Sequence, residues 1–320
     1  SVNATPWAFI SLAVCMMAGT ASLPHVMMRY FTTPSVRTAR RSVGWSLFFI
    51  FLLYSSAPML ATLSKISLMD PNLATGIIGK SITEVQALDW YQNWNQAKLM
   101  FVSDFNGNGT LELNEFFMKG SAVVLATPEI AGLPYVISGL VAAGGMAAAM
   151  STADGLVLAI SNALSHDVYY KIINPKAETA KRLIVARVLL VIIGFAGATI
   201  AALEIQGILG SVIWAFDFAM SGLFFPLVLG VWWKRANAPG AVAGMLLGLI
   251  SGTAYLVWVR SGGSGFLGIT QLTFGIVGAS VSLVSMIVVS LITAAPDAAT
   301  QKMVDDVRIP SGKTILGKQH

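Results

Sequence analysis

Three polar residues stand close together in an otherwise apolar stretch of the sequence. Ser151, Thr152 and Asp154 lie within residues 144–170, a segment that begins with Gly and Ala residues. Two hydroxyl groups and a carboxylate at membrane depth are costly unless they face a cavity, an ion or another helix. The hydroxyl groups could instead bond back to backbone carbonyls one helical turn earlier. The segment is therefore a candidate for handling a polar or ionic ligand.

The composition places this segment in a membrane protein. Hydrophobic residues make up 55% of the 320 residues and charged residues 11%, and the mean hydropathy is +0.72. Such a chain has too little polar surface to stay in water. Its net charge of +5 does not indicate a nucleic acid partner, because Lys and Arg are scattered among loops rather than clustered on one face. The single Cys15 leaves no disulfide within the chain and suggests no thiolate metal site.

The beginning of the sequence shows no secretory signal peptide, since it lacks a basic segment before the first apolar run. Its first residue is Ser rather than Met. These two features suggest a fragment of a longer protein.

Seven apolar segments predict seven membrane-spanning helices. They are residues 6–28, 43–63, 133–170, 183–203, 208–233, 238–259 and 266–294. The first segment contains Gly19 and Pro24, which predict a kink or a short unwound stretch. The third is longer than the roughly 20 residues that cross a bilayer. We expect it to tilt or to continue past the membrane interface.

The predicted domain organisation follows these segments. Residues 1–68 hold the first two spans, 69–132 form a polar extracytoplasmic insert, 133–294 hold the other five spans, and 295–320 form a cytoplasmic tail. Most Lys and Arg residues fall in the loops after spans one, three and five and in the tail. Because basic loops stay in the cytoplasm, we expect a multi-pass protein of the cell (inner) membrane whose N-terminus is outside and whose C-terminus is inside.

Two further features lie within the predicted spans. Gly240, Gly244, Gly248 and Gly252 repeat at intervals of four, which is typical of closely packed membrane helices. Asp217 lies in the fifth span, where the cost of a carboxylate in lipid argues that it faces the protein interior. Either a structural partner or a role in transport would account for it.

The insert contains the most specific local motif in the sequence. Residues 104–115 read DFNGNGTLELNE and match the calcium loop pattern D-x-[DN]-x-[DN]-G-x5-E at every specified position. The predicted ligands are the side chains of Asp104, Asn106, Asn108 and Glu115, the backbone carbonyl of Thr110 and, through water, Glu112. Aromatic residues on both sides predict flanking helices. With few carboxylates and no second loop, an Asn- and Gly-rich turn without metal is the alternative.

Three longer passages resemble the sodium/solute symporter family, which includes acetate permease, proline permease and the sodium/sugar transporters. They read GTASLPHVMMRYFTTPSVRTARRSV at 19–43, PEIAGLPYVISGLVAAGGMAAAMSTADGLVLAISNALSHDVYY at 128–170, and FFPLVLGVWWKRANAPGAVAGMLLG at 224–248. They are most similar to the acetate and monocarboxylate branch. The resemblance covers most of the chain except the insert.

The resemblance implies an all-α membrane fold of the leucine-transporter type, in which two five-helix repeats are inverted relative to each other. The first span would be the broken first helix of the second repeat, and spans two to five would complete that repeat. Spans six and seven would be peripheral. The chain would therefore be the C-terminal part of a transporter, and the N-terminal half would be its missing partner.

The resemblance also implies site residues. By analogy with the family, the carbonyl of Ala148 and the hydroxyls of Ser151 and Thr152 would bind sodium, with further ligands from the first repeat. Asp154 departs from the small apolar residue of the sugar transporters, and it could tune the sodium site or carry a proton. Gly19 and Thr20 match the region that passes the substrate cavity, and Asp154 and Asp217 are further candidates for that cavity.

The function that these features imply is sodium-coupled uptake of a small organic anion, such as acetate or another monocarboxylate, by alternating access. Sodium would be the coupling ion, the lipid bilayer the environment, and calcium a structural ion of the insert. No covalent chemistry is required, so we expect no enzyme. A membrane sensor or receptor on a transporter-like fold, and a passive channel, are the alternatives.

Overall fold

The computed structural model describes residues 6–73, 75–203, 205 and 207–308. The chain forms two compact units: residues 1–39 with 157–320, and residues 40–156. These units differ in kind from the predicted domains, which divide the chain by membrane topology.

Within the described residues, six helical segments are long and apolar enough to cross a membrane. They are Val36–Met69, Tyr135–Ile173, Thr179–Ala202, Ile208–Trp232, Ala238–Arg260 and Gly275–Ile292. They correspond to spans two to seven of the prediction. The predicted first span instead forms α1 (Pro6–Ser22), of 17 residues, and α2 (Pro24–Met28). Helix α1 is shorter than the roughly 20 residues that a bilayer requires.

The break between α1 and α2 has a local cause. Leu23 has an extended backbone with φ −70° and ψ 118°. A proline at the next position disfavours the helical conformation of the residue before it, and it has no N–H to continue the helix. The predicted interruption of the first segment is therefore confirmed.

The second and third segments are longer than expected. Helix α3 (Val36–Met69) has 34 residues and contains Pro58, so it extends beyond the predicted limits at both ends. The third segment forms α7 (Tyr135–Asn162) and continues as a π-helix, Ala163–Ile173. Its 39 residues confirm that it exceeds the length that crosses a bilayer.

The insert folds around a small core of its own. Three short helices, α4 (Ile82–Gln86), α5 (Asp89–Gln96) and α6 (Val123–Ile130), surround a hairpin of β1 (Met100–Val102) and β2 (Phe116–Met118). The core residues include Leu68, Ile77, Val85, Tyr91, Met100, Leu111 and Ala126. The expectation of an all-α chain is thus wrong at this hairpin. Successive side chains of β1 point to opposite faces, so Met100 is buried and the ring of Phe101 stacks on that of Phe117, with the ring centres 4.8 Å apart.

Helices α8 (Thr179–Ala202), α9 (Ile208–Ala219) and α10 (Phe225–Trp232) follow, and a π-helix, Met220–Phe224, joins the last two. Glu204 and Gln206, in the predicted turn after α8, lie outside the described residues. The core of this unit includes Cys15 and Ala18 of α1, packed against Met220 of the π-helix. Helix α1 therefore packs at the junction of α9 and α10.

Helices α11 (Ala238–Arg260) and α12 (Gly275–Ile292) pack closely against each other. A Cβ atom added to Gly244 would lie 3.0 Å from Cβ of Met286 and 3.1 Å from the carbonyl oxygen of Ser282. The glycine repeat of α11 therefore permits close backbone approach, as the sequence predicts.

The last predicted span begins later than expected, because residues 266–274 form a short 3-10 helix and a loop before α12. Here Leu267 and Gly268 have φ +50° and +75°, which an α-helix does not accommodate. The tail also differs from a plain polar extension, since residues Ala298–Arg308 form helix α13. Residues 309–320 lie outside the described part of the chain.

Candidate functional site

The predicted sodium ligands lie on one face of α7. Ala148, Ser151 and Thr152 are spaced three and four residues apart, so they neighbour one another on the helix surface. All three are exposed. Thr152 Oγ1 lies 3.4 Å from the Ala148 carbonyl oxygen, which is longer than the roughly 2.5–3.0 Å of a usual hydroxyl hydrogen bond. A helix face with one carbonyl and two hydroxyl groups is therefore available to a ligand.

The side chains of Ser151 and Asp154 lie on the same side of α7. Both are exposed, and neither makes a side-chain hydrogen bond or ion pair within the described residues. This differs from the back-bonded arrangement that a hydroxyl in a membrane helix commonly adopts. For comparison, Thr199 Oγ1 in α8 donates to the Phe195 carbonyl oxygen at 2.8 Å.

Gly19 and Thr20 lie near the end of α1. A Cβ atom at Gly19 would lie 2.6 Å from both Cβ and the carbonyl oxygen of Phe216, so α1 and α9 are in close contact at this glycine. Thr20 is exposed, and its hydroxyl donates to the Met16 carbonyl oxygen at 2.6 Å. In this arrangement Gly19 provides a helix contact, and the hydroxyl of Thr20 is already paired.

Asp217 follows Phe216 in α9 and is completely buried. The prediction that it faces the protein interior is confirmed. Within the described part of the chain, neither of its carboxylate oxygens has a hydrogen-bond partner. The structure thus places Gly19 and Asp217 at the same contact between α1 and α9, whereas Ala148, Ser151, Thr152 and Asp154 belong to the other unit.

Sequence reasoning missed the neighbour of Asp217. Cys15 of α1 is fully buried and faces the carboxyl group. The two residues are about 200 positions apart, and neither stands in a motif. Only the packing of α1 against α9 brings them together, so no local sequence signal could have found this contact.

The calcium-like loop has an ordered hydrogen-bond pattern. The Asp104 carboxylate accepts from the backbone N–H of Gly107 at 2.7 Å and of Gly109 at 3.0 Å. The Glu115 carboxylate is fully buried and accepts from the N–H of Phe105 at 2.9 Å and of Glu112 at 3.0 Å. The first and last positions of the loop therefore turn inward and hold it closed.

The surroundings of this loop differ from the expectation in two ways. The helix predicted before the loop forms as α5, but β1 lies between α5 and Asp104. The helix predicted after the loop is wrong, because β2 begins directly after Glu115. In addition, Asn106 and Asn108 donate from their amide groups to Glu112 at 3.0 and 3.2 Å. No group of three His, Cys, Asp or Glu side chains is placed to hold a metal ion in the part of the chain that the structure describes.

Six apolar helices of spanning length define a multi-pass membrane protein. The model of the sodium:solute symporter family matches residues 119–248, which include α7 and α9. This match confirms the resemblance found in the sequence. Symporters are transporters rather than enzymes, as the sequence also predicts.

Two curated relatives agree with the family match. An uncharacterized symporter of Cupriavidus necator is 39% identical over 310 residues, which are 94% of this chain and 44% of the relative. A protein named monocarboxylic acid transporter, from Corynebacterium glutamicum, is 28% identical over 245 residues, or 76% of this chain and 37% of that protein. The chain therefore spans less than half the length of these relatives.

Proposed function

We propose that the full-length protein couples the entry of sodium to the uptake of a small organic anion, and that this anion is a monocarboxylate such as acetate. The family match supports symport, and the relative named monocarboxylic acid transporter supports the substrate class. The N-terminal half of the transporter would supply the second part of the site. The protein would work in the cell (inner) membrane, with the N-terminus of this chain outside and its C-terminus inside.

The observation that carries this proposal is the free polar face of α7. Ala148, Ser151 and Thr152 present neutral oxygen atoms on a membrane helix within the matched region. Hard cations prefer oxygen ligands, and neutral oxygens allow sodium to be released again on the inside. The long contact of Thr152 with Ala148 leaves the hydroxyl group available. Helices of the missing half would supply the remaining ligands.

The proposed fold is the second repeat of the leucine-transporter type, with α1 and α2 as its broken first helix. In such folds the ions and the substrate bind near the middle of the membrane, where broken helices leave backbone groups free. Sodium would bind the outward-open state more tightly and so favour the substrate-binding conformation, since a ligand shifts an equilibrium by its differential affinity.

Four residues are candidates for the substrate cavity. Thr20 and Asp154 are exposed in this chain and could face the cavity once the N-terminal half is present. Gly19 and Asp217 lie at the contact between α1 and α9, so a substrate could reach them only after the two helices separate. The mechanism therefore includes a movement of α1 relative to α9.

The experiment is solute uptake by the full-length protein in membrane vesicles. The double variant Ser151→Ala, Thr152→Ala should lose the sodium dependence of acetate uptake. Thr199→Ala is the matched control, since its hydroxyl is already bonded to the Phe195 carbonyl, and it should keep that dependence. Unchanged sodium dependence in the double variant would refute the site.

The same vesicles separate the alternatives. A carrier accelerates the exchange of labelled acetate when unlabelled acetate is present on the far side, whereas a passive channel does not. A sensor or receptor would bind a solute without accumulating it. Either of these two results would contradict the proposed symport.

We also propose that the loop 104–115 binds calcium and stabilises the insert. Every specified position of the motif is present, and Asp104 and Glu115 already point into the loop. For calcium to bind, the side chains would have to exchange their hydrogen bonds with loop amides for bonds to the ion. A fluorescence titration of the full-length protein with calcium tests this proposal, and the absence of saturable binding up to millimolar calcium would refute it.

A further inference from the structure

Asp217 is an acidic residue in an unusual position. It is 0% exposed, lies within a helix of spanning length, and has no hydrogen-bond partner for either carboxylate oxygen among the residues of 6–308 that the structure describes. An ionised carboxylate without a partner is far more costly in an apolar interior than a neutral carboxyl group. Asp217 is not one of the sodium ligands proposed on α7.

The surroundings of the carboxyl group are closed. A Cβ atom added to Gly275, the first residue of α12, would lie 2.9 Å from Asp217 Oδ1. The thiol of Cys15 and the backbone N–H groups of Phe274 and Gly275 approach the carboxyl group without reaching good hydrogen-bond geometry. These neighbours are hydrogen donors rather than oxygen ligands, so they offer a hard cation such as sodium no ligand beyond the carboxylate itself.

Few other ionisable groups lie on the elements packed around Asp217. Cys15 is the only one in α1, and α12 and the π-helix 220–224 contain none. On α11, Tyr255 donates its hydroxyl to the Ile269 carbonyl, and Arg260 lies over the ring of Trp214 at 5.1 Å. Neither of these two residues is paired with the carboxyl group, so no basic side chain of the described residues neutralises Asp217.

We propose that Asp217 is a proton-binding site: its carboxyl group carries a proton while α1, α9 and the start of α12 are packed together, and it releases the proton when α1 moves away. The N-terminus of α12 favours a negative charge, but it offsets only part of the cost of burial. Separation of α1 from α9 would admit water and allow ionisation. A proton is then a ligand of the transporter in addition to sodium.

The position of Asp217 links this proton to movement. Helix α1 approaches α9 closely at Gly19 and Phe216, directly beside Asp217. The π-helix 220–224 follows immediately, and interruptions of this kind are frequent at functional sites. By linkage, a proton that binds the packed arrangement more tightly must also stabilise that arrangement. The inference requires only the packing of this unit and does not depend on the sodium site.

The first test is infrared spectroscopy of the purified full-length protein in lipid at neutral pH. The native protein should show the carbonyl stretching band of a protonated carboxylic acid, and Asp217→Asn should lack it while keeping a neutral side chain of similar shape. Asp306→Asn, at an exposed position, is the control and should keep the band. Equal spectra for native protein and Asp217→Asn would overturn the proposal.

The second test uses Cys15 as a reporter, with its peptide identified by mass spectrometry after treatment with a maleimide. At pH 8.5 the native protein should be labelled several-fold faster than Asp217→Asn, and at pH 6 the two rates should be equal. A nearby negative charge lowers thiol reactivity, so an ionised Asp217 alone would slow the labelling of Cys15. Faster labelling of the native protein therefore shows that the maleimide reaches Cys15 more easily. Equal or slower labelling of the native protein at pH 8.5 would overturn the link to helix separation. Neither test requires transport, so their failure is distinguishable from failure of the proposed sodium coupling.

Discussion

The contact of α11 with its neighbours predicts the cost of one added methyl group. A Cβ atom at Gly248 would overlap the carbonyl oxygen of Ser221, and it would lie 2.8 Å from Cβ of Ser282 and 3.1 Å from the carbonyl oxygen of Gly278. Two of these three atoms belong to the backbone, so no side-chain rotation can relieve the overlap. Gly248→Ala should therefore force α11 away from the π-helix 220–224 and from α12.

The magnitude follows from two opposing effects. Overpacking of a closely packed interior costs about 1–3 kcal/mol, and the rigid backbone atoms place Gly248→Ala in the upper part of that range. Replacing Gly by Ala inside a helix stabilises the helix by up to about 1 kcal/mol. When this gain is set against the cost of overpacking, the free energy of unfolding should fall by about 1–2 kcal/mol.

The assay is denaturant-induced unfolding of the purified full-length protein, with Gly197→Ala as the control. A Cβ atom at Gly197 of α8 meets no atom within 4 Å in this chain, so the control should be as stable as the native protein or slightly more stable. If Gly248→Ala were as stable as Gly197→Ala, the packing of α11 described above would be wrong.

Two further predictions concern the calcium-like loop and helix α13. Calcium at 10 mM should stabilise the insert by about 1.4–2.7 kcal/mol if the loop binds with a dissociation constant of about 0.1–1 mM. Thermal unfolding with and without calcium would show this stabilisation, and Glu115→Gln should abolish it. Loss of the stabilisation in the control Glu84→Gln would contradict calcium binding by the loop. Hydrogen bonds from Thr300 hold the pKa of Asp297 below its ordinary value. The ionised Asp297 therefore stabilises the start of α13 above the ordinary carboxyl pKa, and this stabilisation is lost as the pH falls through the lowered pKa. Hydrogen exchange of residues 298–308 should then become faster in acid, and an equal acceleration in Asp297→Asn would contradict this reasoning.

Some of the structure was predictable from local chemistry. Pro24 predicts the end of α1 because proline constrains the residue before it. The glycine repeat predicts the close packing of α11 because glycine lacks a side chain. The burial of Asp217 within the protein is predictable because a carboxylate is costly in lipid. Each of these predictions rests on one residue type and a cost that does not depend on distant contacts.

Other features depend on contacts between distant residues and could not be read from the sequence. The hairpin of β1 and β2 consists of two three-residue segments, which are too short to show a period of two. The late start of α12 depends on the backbone of Leu267 and Gly268. The proximity of Cys15 to Asp217 requires the packing of α1 against α9. The sodium ligands on α7 are inferred from family resemblance, which also implies further ligands from the first repeat.

The central claim is that sodium moves with the solute through a site on α7. The most direct measurement follows radioactive sodium and labelled acetate together, in lipid vesicles containing the full-length protein. Acetate should stimulate sodium influx in the native protein and in Thr199→Ala, and this stimulation should vanish in the double variant Ser151→Ala, Thr152→Ala. Acetate uptake without accompanying sodium influx in the native protein would contradict the claim.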